Sequence, residues 1–121
     1  MHVEKLWRYP VKSLGGEEVR QAVLTSDGVL GDRLVHVRNE SGPLTGRSRH
    51  ALLTLPAETG PEGVPMVAGA RWDSPAAAAA IHAHAGPDAR LAAFDGPERF
   101  DVLNLLVATD SAVAELGVDV R

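Results

Sequence analysis

Cysteine is missing from this 121-residue chain, so disulfides, thiolate metal ligands and cysteine nucleophiles are all excluded within it. A surplus of positive charge is missing too. Twelve basic residues stand against sixteen acidic ones, a net charge of −4, which gives no support for a nucleic-acid partner or a polyanionic membrane surface. Any anion binding must therefore be local. No uninterrupted apolar run approaches the roughly 20 residues that span a bilayer, and Met1-His2-Val3-Glu4-Lys5 lacks the basic-then-apolar order of a signal peptide. No membrane partner and a cytoplasmic location are the expectation. Also absent are a glycine-rich GxGxxG or phosphate-loop pattern, a supported Ser/His/Asp order, and any internal repeat beyond an alanine run.

What remains is enough apolar residues, 45%, to build the core of one modest domain. Val3 to Tyr9 reads as a first strand that stops at Pro10, and Val19 to Thr25 as a second that stops at Ser26-Asp27-Gly28. Leu34 to Arg38 alternates into the hairpin chemistry of Asn39-Glu40-Ser41-Gly42, and the returning strand starts at Leu44-Thr45. Ala51 to Leu55 is a short β-type run closed by Pro56, Glu58 to Gly63 a surface loop by composition, and Val64 to Trp72 a short or bent strand pair broken by Pro65 and Gly69. Ser74-Pro75 opens a helix of about eleven residues that ends before Gly86-Pro87, roughly 16 Å long. Its alanine face suits close packing on a sheet. Leu91 to Phe94 and the buried-type run Val102 to Ala108 are further strands, and Thr109-Asp110 starts a short capped helix that reaches Gly117. The pattern predicts a β-rich α+β domain or small barrel with one or two short helices.

Three basic turns stand out: Tyr9-Pro10-Val11-Lys12-Ser13, Gly31-Asp32-Arg33 and Thr45-Gly46-Arg47. Each sets cations or hydroxyls beside flexible backbone, the combination that holds a phosphate-bearing ligand. The plain alternatives are a solvated turn at Lys12 and Ser13, a surface Asp32–Arg33 pair worth about 0–1 kcal/mol, and a hairpin tip carrying Arg47 and Arg49 for solubility. Thr109 and Ser111, at a helix start, can either meet an anion or simply cap the helix. The histidines offer little. His82 and His84 lie about 200° apart around a helix and cannot share one metal, while His2, His36 and His50 stand alone in the sequence.

The order Trp7-Arg8-Tyr9-Pro10-Val11-Lys12-Ser13-Leu14-Gly15-Gly16-Glu17, then Gly28-Val29-Leu30-Gly31-Asp32-Arg33, then Leu44-Thr45-Gly46-Arg47, resembles the N-terminal β-barrel region of MOSC proteins. That family includes the mitochondrial amidoxime-reducing component and its bacterial relatives. The likeness is strong over residues 1–55, loose over 56–98, and returns at Phe100 to Ser111, which is similar to the opening of the MOSC domain proper. The resemblance implies a MOSC N-terminal-like β-barrel over 1–98 and the truncated start of a MOSC domain over 99–121. It also implies that Lys12, Ser13 and Arg33, with Arg47, Thr109 and Ser111 as further candidates, contact the pterin of the molybdenum cofactor. The expected function is then an N-terminal segment of an oxidoreductase whose site, with its molybdenum-binding cysteine, is completed by residues absent here. Its partners would be the small-molecule cofactor and either the missing C-terminal MOSC region or a second copy. The rivals are a non-catalytic β-domain that binds a small anion or a protein, and a structural domain with no ligand.

Overall fold

A computed structural model of the chain describes residues 2–94 and 103–117. Among these residues the strands are β1 (Leu6–Arg8), β2 (Glu17–Val19), β3 (Leu24–Thr25), β4 (Gly28–Val29), β5 (Val35–Asn39), β6 (Gly42–Leu44), β7 (Ala57–Thr59), β8 (Pro65–Val67), β9 (Ala70–Arg71) and β10 (Arg90–Ala93). The helices are α1 (Pro75–Ala85) and α2 (Asp110–Leu116). The strands form four small antiparallel sheets in the orders β1-β2, β3-β4, β10-β5-β6 and β7-β8-β9. The result is the β-rich α+β domain that the alternation and turn punctuation predict.

β5 is the central strand. Its alternation sends Val35 and Val37, 1% and 0% exposed, into a core shared with Val11, Leu14, Leu44, Leu52, Leu55 and Val67. It turns into β6 through Asn39, whose Oδ1 accepts the Ser41 N–H at 2.9 Å, and through Gly42 at φ +129, a conformation that glycine adopts without steric cost.

α1 begins as Ser74-Pro75 predicts. The Ser74 hydroxyl accepts the Ala77 N–H at 3.2 Å and donates to the Arg71 carbonyl at 2.6 Å, and Pro75 occupies a first-turn position where its missing N–H costs nothing. Ala77, Ile81 and Ala85, four residues apart, are the buried stripe. Because two of the three are alanines, the helix lies close against β8, β9, β10 and the turn before β7. Gly86, at φ +103, ends it.

Four expectations are revised. The Ala51 to Leu55 run is a 3-10 turn over His50–Thr54, not a strand. In that geometry residues three apart share a face, so Leu52 and Leu55 are buried while Leu53 is 56% exposed. The expected second strand is split, because Glu17–Val19 pairs with β1 and Leu24–Thr25 pairs with β4. The loop from Glu58 instead carries the end of β7, which pairs with β8 at Glu58↔Met66 and Thr59↔Pro65, followed by a turn at Pro61–Gly63. The run to Ala108 is no strand over 103–108, and Val102 lies outside the described residues. Apolar composition alone does not make a strand where no neighbouring edge takes up its backbone. Leu103, Leu106 and Val107 are 74%, 91% and 77% exposed.

One carboxylate ties two of the sheets together. Glu17 on β2 accepts the Arg8 Nε–H from β1 at 2.8 Å, and from β7 it accepts the Thr59 hydroxyl at 2.6 Å and the Thr59 N–H at 3.1 Å. Burial by itself would raise the Glu17 pKa, but the hydrogen bonds from Thr59 and Arg8 together outweigh it and hold the carboxyl below its usual value. A carboxyl depressed in the folded state stabilises fully above its unfolded pKa, and that contribution is lost as pH falls through the folded value. Glu17→Gln is therefore expected to cost about 1–3 kcal/mol at neutral pH. In urea denaturation across pH, the gap between wild type and variant should close as the acid limb is descended.

Candidate functional site

The Tyr9 to Ser13 turn is held against the entry to β5 by backbone. The Arg33 N–H donates to the Tyr9 carbonyl at 2.6 Å, the Leu34 N–H to the Pro10 carbonyl at 2.9 Å, and the Lys12 N–H to the Val35 carbonyl at 2.8 Å. Val11 forms a parallel bridge with Val35 and is fully buried, which fixes the flanking Lys12 outside the core. Asp32, 4% exposed, locks the arrangement by accepting the Tyr9 N–H at 2.7 Å and pairing with the Arg33 guanidinium. Arg33 also lies over the Tyr9 ring, 5.6 Å from its centroid.

Beyond this seam the first and third turn motifs meet. Lys12, Ser13, Thr45, Gly46, Arg47, His50 and Leu53 line one groove of about 430 Å3. That volume lies within the range of small-ligand sites. Among the described residues no carboxylate lines it. The Thr45-Gly46-Arg47-Ser48 turn is closed internally, with the Thr45 hydroxyl accepting the Arg47 N–H and the Ser48 hydroxyl donating to the Thr45 carbonyl. These bonds occupy the Thr45 and Ser48 hydroxyls and leave Arg47 exposed at the tip. Gly46 packs closely under Leu53. A Cβ there would stand 2.7 Å from Leu53 Cδ2, so the absence of a side chain lets Leu53 form the apolar wall.

Two of the candidate residues have unusual backbones. Ser13, at φ +73, and Arg33, at φ +48, occupy the left-handed region that side chains other than glycine seldom adopt. Among the described residues the Ser13 hydroxyl makes no hydrogen bond. The strain at Ser13 is thus not repaid by its own side chain inside the protein.

Of the other candidates, Arg33 is engaged by Asp32 and Tyr9 rather than lining the groove. Thr109 and Ser111 are exposed. The Thr109 hydroxyl caps α2 by accepting the Ala112 N–H at 3.3 Å and lies 3.3 Å from the Ser111 hydroxyl, and neither residue lines the groove. Arg49, beside Arg47 in sequence, instead donates to the Ala85 carbonyl at 3.1 Å at the end of α1, where a cation is favoured. His50 and Leu53 also line the groove, carried there by the 3-10 turn His50–Thr54; in the sequence His50 stands alone and Leu53 lies within a strand-like apolar run. Among the described residues no group of three or more histidine, aspartate or glutamate side chains could hold a metal ion, and no helix is long and apolar enough to cross a membrane.

A small β-rich domain with a cationic groove at its strand ends is the class that fold and site define. The family model for the MOSC N-terminal beta barrel domain matches residues 1–90, and the chain belongs to that family. No curated protein matches it.

The backbone at Ser13 yields a direct expectation. Ser13→Gly relieves the left-handed conformation, an effect of about 1 kcal/mol set against the greater entropy of glycine in the unfolded chain. Stability in urea denaturation should hold or rise by up to about 1 kcal/mol. A clear loss would assign the serine side chain a structural role.

Proposed function

We propose that this chain supplies the phosphate end of a molybdenum-cofactor site, with the Lys12 ammonium, the Ser13 hydroxyl and the Arg47 guanidinium gathered on the pterin phosphate. The observation that carries the reading is the shared groove, which joins two turns more than thirty residues apart in sequence and, among the described residues, has cations but no carboxylate in its lining. This donor set fits the group. A compact ammonium, a hydroxyl and a forked guanidinium are complementary to a phosphate dianion, and Leu53 offers an apolar wall for the ring beyond it. Arg33 stands behind the groove as a positioning residue, holding Asp32 and the Tyr9 backbone in place.

When bound, the cofactor supplies redox chemistry at molybdenum. The residues of this chain bind and orient its phosphate. With no cysteine the chain offers molybdenum no thiolate, so in this reading the oxidoreductase site is completed by other residues, and residues 1–98 form the barrel region with 99–121 opening the MOSC domain. A cytoplasmic location belongs to the same proposal.

Titration of the purified chain with a metal-free pterin monophosphate tests the reading by calorimetry. Lys12→Ala combined with Arg47→Ala should weaken binding at least tenfold, in keeping with about 1.5–3 kcal/mol for a hydrogen bond to a charged group. Equal affinity of wild type and variant would remove the groove from consideration.

A second reading, of a partner surface, rests on a separate observation. Leu103, Leu105, Leu106 and Val107 are all exposed in a row. In their neighbourhood the Asn104 side chain donates to the Ser26 carbonyl at 3.1 Å. We propose that further MOSC-domain polypeptide or a second copy covers this stretch. Concentration-dependent association in light scattering, reduced by Leu106→Glu, is the expected result for the chain alone. A monomer at all concentrations would remove the second copy as the cover.

A further inference from the structure

The face of β5 that points away from the core brings two arginines together across adjacent strands. β10 pairs with β5 in the register Arg90↔Arg38 and Ala92↔His36. Residues directly opposite in an antiparallel pair share a face, so two guanidinium side chains stand beside each other across adjacent strands. Like charges in that position destabilise a sheet. Three other arginines are matched with carboxylates, Arg8 with Glu17, Arg33 with Asp32 and Arg71 with Asp73. Among the described residues neither Arg38 nor Arg90 has a carboxylate or a side-chain hydrogen bond.

The ground beneath the pair is also unusual. His36 is only 6% exposed, stacks on Phe94 with ring centroids 4.0 Å apart, and has no hydrogen-bond partner at Nδ1. Arg38 Nε is likewise buried and unpartnered. Leaving such a donor unsatisfied costs about 1–3 kcal/mol. Lys12 reaches the same neighbourhood, its ammonium 6.0 Å from the Phe94 ring centroid. Burial, then the charges of Arg38, Lys12 and Arg90, lower the His36 pKa, while a hydrogen bond with the Ala92 backbone opposes them.

We propose that this face is a second oxyanion site, in which Arg38 and Arg90 clamp one phosphoryl group across the β5–β10 pair, above the His36–Phe94 stack. It is distinct from the groove and adjoins it at Lys12. A phosphoryl group suits the geometry better than an acidic peptide does. Opposed residues of two antiparallel strands are about 4.5–5.5 Å apart at Cα, so both forks converge on a single group with several oxygens rather than on carboxylates spaced along a chain. In a protein of net charge −4, a local excess of this kind is not a by-product of overall composition.

The test is a titration of the isotopically labelled chain with inorganic pyrophosphate, at ionic strength held constant with sodium chloride, followed by NMR of the Arg38 and Arg90 Nε and the His36 ring nitrogens. Saturable shifts of these signals are expected. Arg38→Gln with Arg90→Gln should weaken the His36 response at least tenfold, whereas Arg47→Ala should leave it within about twofold. Without anion, Arg38→Gln should raise the melting temperature because it relieves the cross-strand repulsion, and pyrophosphate should stabilise wild type more than the double variant. Three results would overturn the proposal: no saturable shift at His36, the same shift with chloride alone, or stronger displacement of these signals by a glutamate-rich peptide than by pyrophosphate. A negative result here leaves the pterin-phosphate measurement on Lys12 and Arg47 untouched, so the two sites stand or fall separately.

Discussion

The buried carboxylate of Asp32 is the constraint on which the remainder of the structure rests. It is 4% exposed and faces two demands at once, the Tyr9 N–H and the Arg33 guanidinium. Meeting both fixes the first turn motif against the second. From that junction the backbone bonds of Leu34 to Pro10 and Lys12 to Val35 carry the register into β5. If the carboxylate were lost, the half-buried Tyr9 N–H and Arg33 guanidinium would lose the acceptor that aligns them, a loss of about 1–3 kcal/mol. The Lys12 end of the groove depends on that anchor, because Lys12 follows Val11, and Val11 is held in the core by the same seam.

Charge is sorted across the molecule by a simple rule. Cations that build structure are matched, as at Arg8 with Glu17 and at Arg49 with the carbonyl end of α1. Among the described residues, Arg38 and Arg90 on the outer side of β5 meet no carboxylate, and none lines the groove beside Arg47. A protein with more acidic than basic residues does not leave cations grouped by default, since random placement would pair most of them. The separation is what the two proposed oxyanion sites rest on, since a local grouping of cations suits a compact anion rather than a long polyanion.

Much of this was legible in the chain. Ser74-Pro75 announced α1 because capping and proline geometry are local effects that tertiary contacts seldom override. Asn39 to Gly42 announced the β5–β6 hairpin for the same reason. Lys12, Ser13 and Arg47 were legible as candidates, and the groove brings those three together. What stayed hidden depends on neighbours distant in sequence. The 3-10 turn at His50–Thr54 looks like a strand until Leu52 and Leu55 are seen to share a buried face. The burial of Asp32 beside Arg33 is likewise set by distant neighbours, and the opposition of Arg38 and Arg90 exists only through a pairing across some fifty residues.

The two left-handed residues in the site connect stability to function. Glycine at position 13 would adopt φ +73 with less strain, yet a serine stands there whose hydroxyl is unused by the fold among the described residues. A residue that is costly to the backbone and idle in packing is retained most economically for what its side chain does outside the fold. Arg33 shows the opposite case, since its left-handed backbone is compensated by Asp32, the Tyr9 carbonyl and the Tyr9 ring. The same local strain is thus met in two ways, compensated within the fold at Arg33 and uncompensated by the side chain at Ser13.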